Sequence, residues 1–468
     1  MAELKVKEDI PFEGIKQIGD KEDHMIDIYG REFLEKEFTQ LIKQGVLLSK
    51  DASVTYGIIA ATCHRCLNTD KQYFSTFKYN SKTITYCRKC LDFGMISTES
   101  KLYRTPARHE ISPTSGILNK DFQLSFLQVR ASNFCKEILA KRQIGMVWAV
   151  CGAGKTEMMF ESISEALTTG RRVCWAIPRS DVVIELAPRI KTAFAHATVA
   201  TLHANSAKKD QYGDIVVTTV HQLIRFYKAF DFLIIDEVDA FPYTFDEMLI
   251  RIAKKACKSD ATTIYLSATP SKRDQAKIKM GRLQACIIPA RFHLFPLDIP
   301  KYKWCANFYK QVAKNKIPQA AKNWINRKIQ AKRRALLFVP TIDCGLKFQT
   351  ALKKQLQLDI DFVFSNVPNR ASKVARFKEG DGQFLITTMI LERGVTIPNI
   401  DVAIFSAEHE VYDESALVQI SGRVGRSPKW PTGEIMFFHH GITKAMEDAK
   451  SQIITMNKLA KKQNLLKD

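Results

Sequence analysis

No stretch of this 468-residue chain approaches the roughly 18 consecutive apolar residues that a membrane-spanning helix needs, although 46% of its residues are hydrophobic. The apolar content is therefore available for packed cores. The first nine residues mix Lys with Glu and Asp and lack the apolar stretch of a secretory signal, so the expected location is the cytoplasm. Acidic residues are in short supply, 49 against 70 Lys and Arg, which leaves a net charge of +21. Such an imbalance favours a polyanionic partner, either nucleic acid or an acidic membrane surface, and charge alone does not choose between them. There is no internal repeat and no low-complexity tract, which excludes a solenoid or a disordered array. A chain of this length exceeds one compact core and predicts about two or three domains.

Cysteine is not scarce, with 11 in the chain, but nothing points to export, so disulfides are not the expected use. Cys63, Cys66, Cys87 and Cys90 form two CxxC knuckles. That spacing fits a tetrathiolate Zn²⁺ site, since each CxxC turn offers two sulfurs at the bite a tetrahedral ion requires. Phe74, Phe77, Tyr79, Ile84 and Tyr86 between the knuckles read as a short hairpin. Four protein ligands close the shell, so the metal is expected to be structural; the competing reading is four unrelated core thiols. Cys135, Cys151, Cys174, Cys257, Cys286, Cys305 and Cys344 stand alone and read as small buried hydrophobes.

Hydrophobic patterning divides the chain. Residues 1–60 carry a helical pattern at Phe33, Leu34, Phe38, Leu41 and Ile42 and no nameable chemistry; residues 61–97 are the zinc module. Across 98–290, short apolar runs at 146–150, 173–177, 215–217, 232–235 and 264–266 alternate with helical stretches, the rhythm of a parallel sheet with crossover helices. Pro289, Pro296 and Pro300 mark a connection. A second such lobe follows over 291–445, with strands expected at 335–339, 360–364, 384–387, 403–405 and 434–438, and 446–468 reads as a Lys-rich terminal helix. The expected class is α/β: two RecA-like parallel-sheet lobes behind a four-cysteine module.

The run AVCGAGKT at 149–156 follows the first of these strands. Gly152, Ala153 and Gly154 let backbone N–H groups turn around phosphates, Lys155 supplies a cation to them, and Thr156 is a Mg²⁺ ligand at a helix start. About eighty residues on, the strand FLII ends in Asp236-Glu237-Val238-Asp239. Asp236 is expected to hold Mg²⁺ and Glu237 to orient and deprotonate the attacking water. An acidic cluster after a strand is by itself more often a solvated turn; its pairing with the phosphate loop argues otherwise.

The acid box, Ser267-Ala268-Thr269, the run TTMILERGV at 387–395 and the arginine box QISGRVGR at 419–426 together resemble superfamily-two helicases over residues 120–440. By that resemblance Gln128 senses the nucleotide, Gly394 and Gln419 lie beside it, and Ser267 and Thr269 link the γ-phosphate to the nucleic-acid groove. Arg423 and Arg426 are expected to reach the γ-phosphate when the lobes close. The wider match, WAVCGAGKTE at 148–157, DEVDAFPY at 236–243 and a four-cysteine module ahead of both lobes, resembles the ComFA family of late competence proteins. That resemblance implies a cytoplasmic, peripherally membrane-associated ATPase dependent on single-stranded DNA, importing transforming DNA with the ComEC channel and ComFC; a homo-oligomer stays open.

Direct DNA contacts are less legible. Residues 301–350 are strongly basic and include Trp304, Phe308, Tyr309 and Trp324, a composition suited to phosphate neutralisation and base stacking. Ile317, Ala321, Ile325 and Ile329 recur every four residues, so the same stretch also reads as an amphipathic helix with a solvated basic face. Pro178-Arg179 and Thr218-Thr219 with Gln222 resemble first-lobe strand contacts, while His439 and His440 read as loop residues. A PriA-like primosomal helicase or an RNA helicase would share this motor core, and a zinc-dependent assembly adaptor with a vestigial ATPase is the non-enzymatic alternative.

Overall fold

The computed structural model describes residues 26–107, 111–119, 122–206, 209–394 and 396–467. The first lobe is a seven-stranded sheet in the order Val199–Leu202, Ile215–Thr219, Val173–Ile177, Phe230–Ile235, Cys257–Ser267, Ile144–Ala149, Gln284–Ile288, and every neighbouring pair is parallel. Its inner strand Val173–Ile177, VCWAI, is buried at every position. Val173, Trp175 and Ile177 enter one core while Cys174 and Ala176 enter the core on the opposite face, which is why the sequence shows a continuous apolar run and not an alternation.

The second lobe has six parallel strands in the order Lys301–Trp304, Ile435–His439, Ile400–Phe405, Arg334–Phe338, Phe384–Thr387, Phe362–Val363. Here the reading of 301–350 is corrected. Phe308 stacks on Phe405 at 4.7 Å and Phe405 on Phe438 at 4.9 Å, so Phe308 is core. Trp324 is 3% exposed and donates its indole N–H to Glu434 Oε2 at 2.9 Å. Only Trp304 and Tyr309 of that aromatic set face solvent.

Ahead of the lobes, the strands Glu32–Leu34, Lys101–Arg104 and Ser53–Tyr56 form an antiparallel sheet in that order, so chain on both sides of the cysteines closes one small unit. The predicted hairpin forms, Phe74–Tyr79 against Lys82–Cys87. The unit sits on the first lobe: Lys255 is buried there and donates to Glu32 Oε1 at 2.6 Å, Arg65 O at 2.7 Å and Ile224 O at 3.1 Å. Burial lowers its ammonium, and Glu32 opposes that shift.

The terminal helix, Lys444–Lys462, is capped by Thr443 and belongs to both lobes. Met446 and Ala449 enter the second lobe's core, whereas Met456 and Ala460 enter the first lobe's. Among the described residues no helix is long and apolar enough to cross a membrane.

Candidate nucleotide site and cysteine centre

The phosphate loop leaves the strand Ile144–Ala149 and enters the helix Lys155–Thr168. Gly152 and Gly154 hold φ of +83° and +77°, a left-handed backbone that turns successive N–H groups to one side at a helix N-terminus. Gln128 is tied into this turn. Its Nε2 donates to Ala153 O at 3.2 Å and its Oε1 accepts from Ser125 N at 2.8 Å, so the helix Phe126–Ala140 delivers it already oriented.

Asp236 and Glu237 leave the end of Phe230–Ile235 beside that loop. Burial pushes the Asp236 carboxyl up to about 6 while Lys155 pulls it down, so the two groups interact across the site. Glu237 adopts φ of +53°, an uncommon conformation for a residue with a β-carbon, and its Oε2 is buried with no hydrogen-bond partner among the described residues. A buried carboxylate oxygen that accepts no hydrogen bond, beside an anion-binding turn, fits a nucleotide, its Mg²⁺ and a water.

The second lobe closes over this side of the first. Cys151 donates to Gln419 Oε1 at 3.0 Å, and a β-carbon on Gly422 would meet the Cys151 β-carbon at 2.3 Å. Arg423 donates to Glu392 O at 3.0 Å and Arg426 to Gly422 O at 2.9 Å. Burial lowers both guanidiniums, and Glu237 of the first lobe opposes that shift in each. Gly394, at φ of +76°, lies against Asp181 and Val182 of the first lobe.

Two groups at the cleft escaped the sequence reading. Arg393 spans the lobes, donating to Asp239 Oδ2 at 2.5 Å with Glu237 Oε2 at 3.5 Å. Asp239 also accepts from Ser267 at 2.6 Å, Thr269 at 2.7 Å and Ser415 at 2.9 Å. Arg393 lies inside a recognised motif, but its partner lies 154 residues upstream and no spacing reveals it. Arg291, 1% exposed, donates to Cys151 O at 3.3 Å and Gly425 O at 2.6 Å from the connection between the lobes.

The expected first-lobe strand contacts are occupied internally. Arg179 donates to Ile390 O at 2.8 Å across the cleft, and Thr218, Thr219 and Gln222 are buried. His440 pairs with Glu408 at 2.6 Å, and the His439 ring meets Trp304 edge-on.

The four knuckle cysteines converge. Their sulfurs all lie within 4.8 Å of one another, with Cys63 to Cys90 at 3.7 Å and Cys66 to Cys87 at 3.6 Å, and all are free thiols. A tetrahedral Zn²⁺ with bonds of about 2.3 Å spaces its sulfurs about 3.8 Å apart. The donor set fits that ion.

Family models match three segments: Competence protein ComFA N-terminal domain over 25–104, Type III restriction enzyme, res subunit over 121–272, and Helicase conserved C-terminal domain over 316–428. The chain is 42% identical to Competence protein ComFA of Bacillus subtilis (strain 168) over 421 residues, covering 90% of each chain. It is 36% identical to Competence protein ComFA of Streptococcus pneumoniae over 438 residues, covering 93% of this chain and 99% of that one. Among solved structures it resembles Mss116p bound to ssRNA and AMP-PNP, with a TM-score of 0.52 and 18% identity over 70% of this chain and 75% of that chain. S. cerevisiae Dbp5 bound to RNA and ADP BeF3 also gives 0.52, with 17% identity over 74% of this chain and 92% of that chain, and both likenesses concern the two-lobed fold. With an N-terminal cysteine unit ahead of two helicase lobes that meet at an ATP-hydrolysing cleft, the chain belongs to the ComFA family of competence proteins.

Proposed function

We propose that the chain hydrolyses ATP in the cleft and uses the opening and closing of its lobes to draw single-stranded DNA inward during transformation. The observation that carries this reading is Arg393, a second-lobe cation that binds the first lobe's acid box through Asp239 and Glu237. A motor needs such a tie, because a change at the phosphate must be felt by the other lobe.

The residue roles follow from chemistry. The loop 152–156 cradles the phosphates, and Lys155 neutralises them. Mg²⁺ held by Thr156 and Asp236 would offset the charge on the β- and γ-oxygens. A water attacks the γ-phosphorus, its proton passes to the Glu237 carboxylate, and the bond to the ADP oxygen breaks to leave ADP and phosphate. Arg423 and Arg426 offset the charge that grows on the transferring group; an arginine so used is worth about 10³ to 10⁵ in rate.

Cys63, Cys66, Cys87 and Cys90, giving up their thiol protons to act as thiolates, would hold one Zn²⁺ that stiffens the N-terminal unit and takes no part in hydrolysis. Single-stranded DNA stacks on Trp304, 61% exposed, and on Tyr309, with Lys301, Lys303 and Lys310 exposed beside them for phosphates. The motor works at the inner face of the membrane with a ComEC-type channel and ComFC.

The deciding experiment compares ATP turnover with single-stranded DNA, duplex DNA and RNA at one ionic strength. Single-stranded DNA should raise turnover most. Stimulation by structured RNA with none by single-stranded DNA would overturn the uptake reading.

A further inference from the structure

The terminal helix Lys444–Lys462 reads in the sequence as a basic tail, and the hydrolytic cycle above gives it no part. Its packing gives it one. The first half is fixed to the second lobe against the arginine-box helix Glu414–Ser421, and the second half is seated in the first lobe's core through Met456 and Ala460. The tail beyond continues inward: Leu465 and Leu466 pack on the same core, and Lys467 N donates to Leu294 O at 2.9 Å. Asn457 is pinned at both ends of its amide to Leu297, accepting at 2.8 Å and donating at 2.9 Å.

Where the helix crosses between the lobes stands Gln452. Its Nε2 donates to the Ala268 carbonyl at 2.8 Å, while its Oε1 is buried without a hydrogen-bond partner among the described residues. Ala268 lies between the two hydroxyls, Ser267 and Thr269, that hold Asp239. The same carbonyl accepts from Trp148 Nε1 at 3.2 Å, and Trp148 precedes the phosphate loop. One backbone oxygen thus collects a donor from the phosphate-loop strand and a donor from the terminal helix. A small, partly open pocket of about 20 Å³ lies beside it, lined by Cys151, Arg291, Asp298, Gly422, Gln452 and Met456 among others.

We infer that Gln452 is a positioning residue for ATP hydrolysis: through the Ala268 carbonyl it registers Ser267 and Thr269, and with them Asp239 and Arg393, against the arginine-box helix. Motion of that helix carries the terminal helix with it, and Gln452 delivers the motion to the acid box. The inference rests on the hydrolytic reading for its assay, and it is independent of which polymer is moved.

The test is steady-state ATP turnover of Gln452→Ala, Gln452→Glu and the surface control Ser451→Ala, each with and without single-stranded DNA. Gln452→Ala should lower kcat about tenfold, the worth of one ordinary hydrogen bond, and leave KM for ATP unchanged. Gln452→Glu keeps the shape and loses the donor while ionised. Its carboxyl, facing a carbonyl oxygen, should protonate readily as pH falls from about 8 to about 5.5, and the acid O–H can then donate to Ala268. Its kcat relative to wild type should therefore climb over that range while that of Gln452→Ala stays flat. Wild-type kcat in Gln452→Ala, or a matched loss in both variants with no pH recovery, overturns the assignment. If wild-type turnover ignores single-stranded DNA, the uptake reading fails while the kcat and pH comparisons still judge Gln452.

Discussion

Asp239 is the residue on which the two lobes agree. Burial drives its carboxyl upward, yet Arg393 and the hydroxyls of Ser267 and Thr269 hold it well below the usual carboxylate range. A carboxylate whose folded pKa is depressed adds stability that is complete above its unfolded value near 3.8 and is lost as pH falls through the lower folded value. At neutral pH the tie is therefore fully made. Arg393→Ala would leave Asp239 buried and uncompensated, a loss of about 3–5 kcal/mol for such a pair. Thermal melts should show a fall of about 10 °C for a lobe of this size. ATP turnover should drop with it, and Arg393→Lys should recover only part, because an ammonium cannot span Asp239 and Glu237 as a guanidinium fork does. A melting temperature within a degree of wild type would remove the pair from the interlobe contact.

At the scale of elements, the cysteine unit is joined to the motor more tightly than a tethered finger would be. Cys63, Cys66, Cys87 and Cys90 share one buried cluster with Val220, Leu223 and Ile224 of the first lobe. Cys87→Ala should cut bound zinc to below about one-tenth of an ion per chain and melt the N-terminal unit first, since a structural zinc site contributes its binding energy to folding. Atomic absorption on the purified variant checks the first outcome and scanning calorimetry the second. Full zinc occupancy in that variant would overturn the four-ligand set. This unit was legible in outline because CxxC spacing and a hairpin pattern are local signals. Its outer sheet was not: Glu32–Leu34 pairs with Lys101–Arg104 across about seventy residues of chain. The inner strands of both lobes were equally plain, being apolar at nearly every position. Lys301–Trp304 was not, for its residues alternate Lys with aromatics and it forms a sheet edge. Phe308 and Trp324 misled for a related reason: an aromatic between lysines can serve a core or a nucleic acid, and only its face decides.

For the molecule as a whole, the cleft is drawn shut by motif residues whose partners lie far off in sequence and by one cation, Arg291, that no motif announces. The phosphate loop, acid box and arginine box were readable because each is a run of neighbours in sequence. Arg291 was not, since it lies among prolines in a connecting segment and its acceptors are backbone carbonyls on either lobe. Burial lowers its guanidinium to about 10, with Asp298 opposing, so it stays cationic at neutral pH. Arg291→Met keeps most of the volume and removes both donors. Cys151 O then loses this donor, and Gly425 O keeps His293 Nε2 at 3.0 Å. One buried carbonyl left unpaired costs about 1–3 kcal/mol, and because water can reach it once the lobes open, the closed-to-open ratio falls about fivefold or more. Apparent affinity for nucleotide drops by up to the same factor, since only the closed form offers both halves of the site. Titration of Arg291→Met with a fluorescent ATP analogue should therefore show a weakened Kd, with turnover at saturation close to wild type. That is the converse of the kcat loss expected at Gln452, and an unchanged Kd would mean that Arg291 fills space without holding the lobes together.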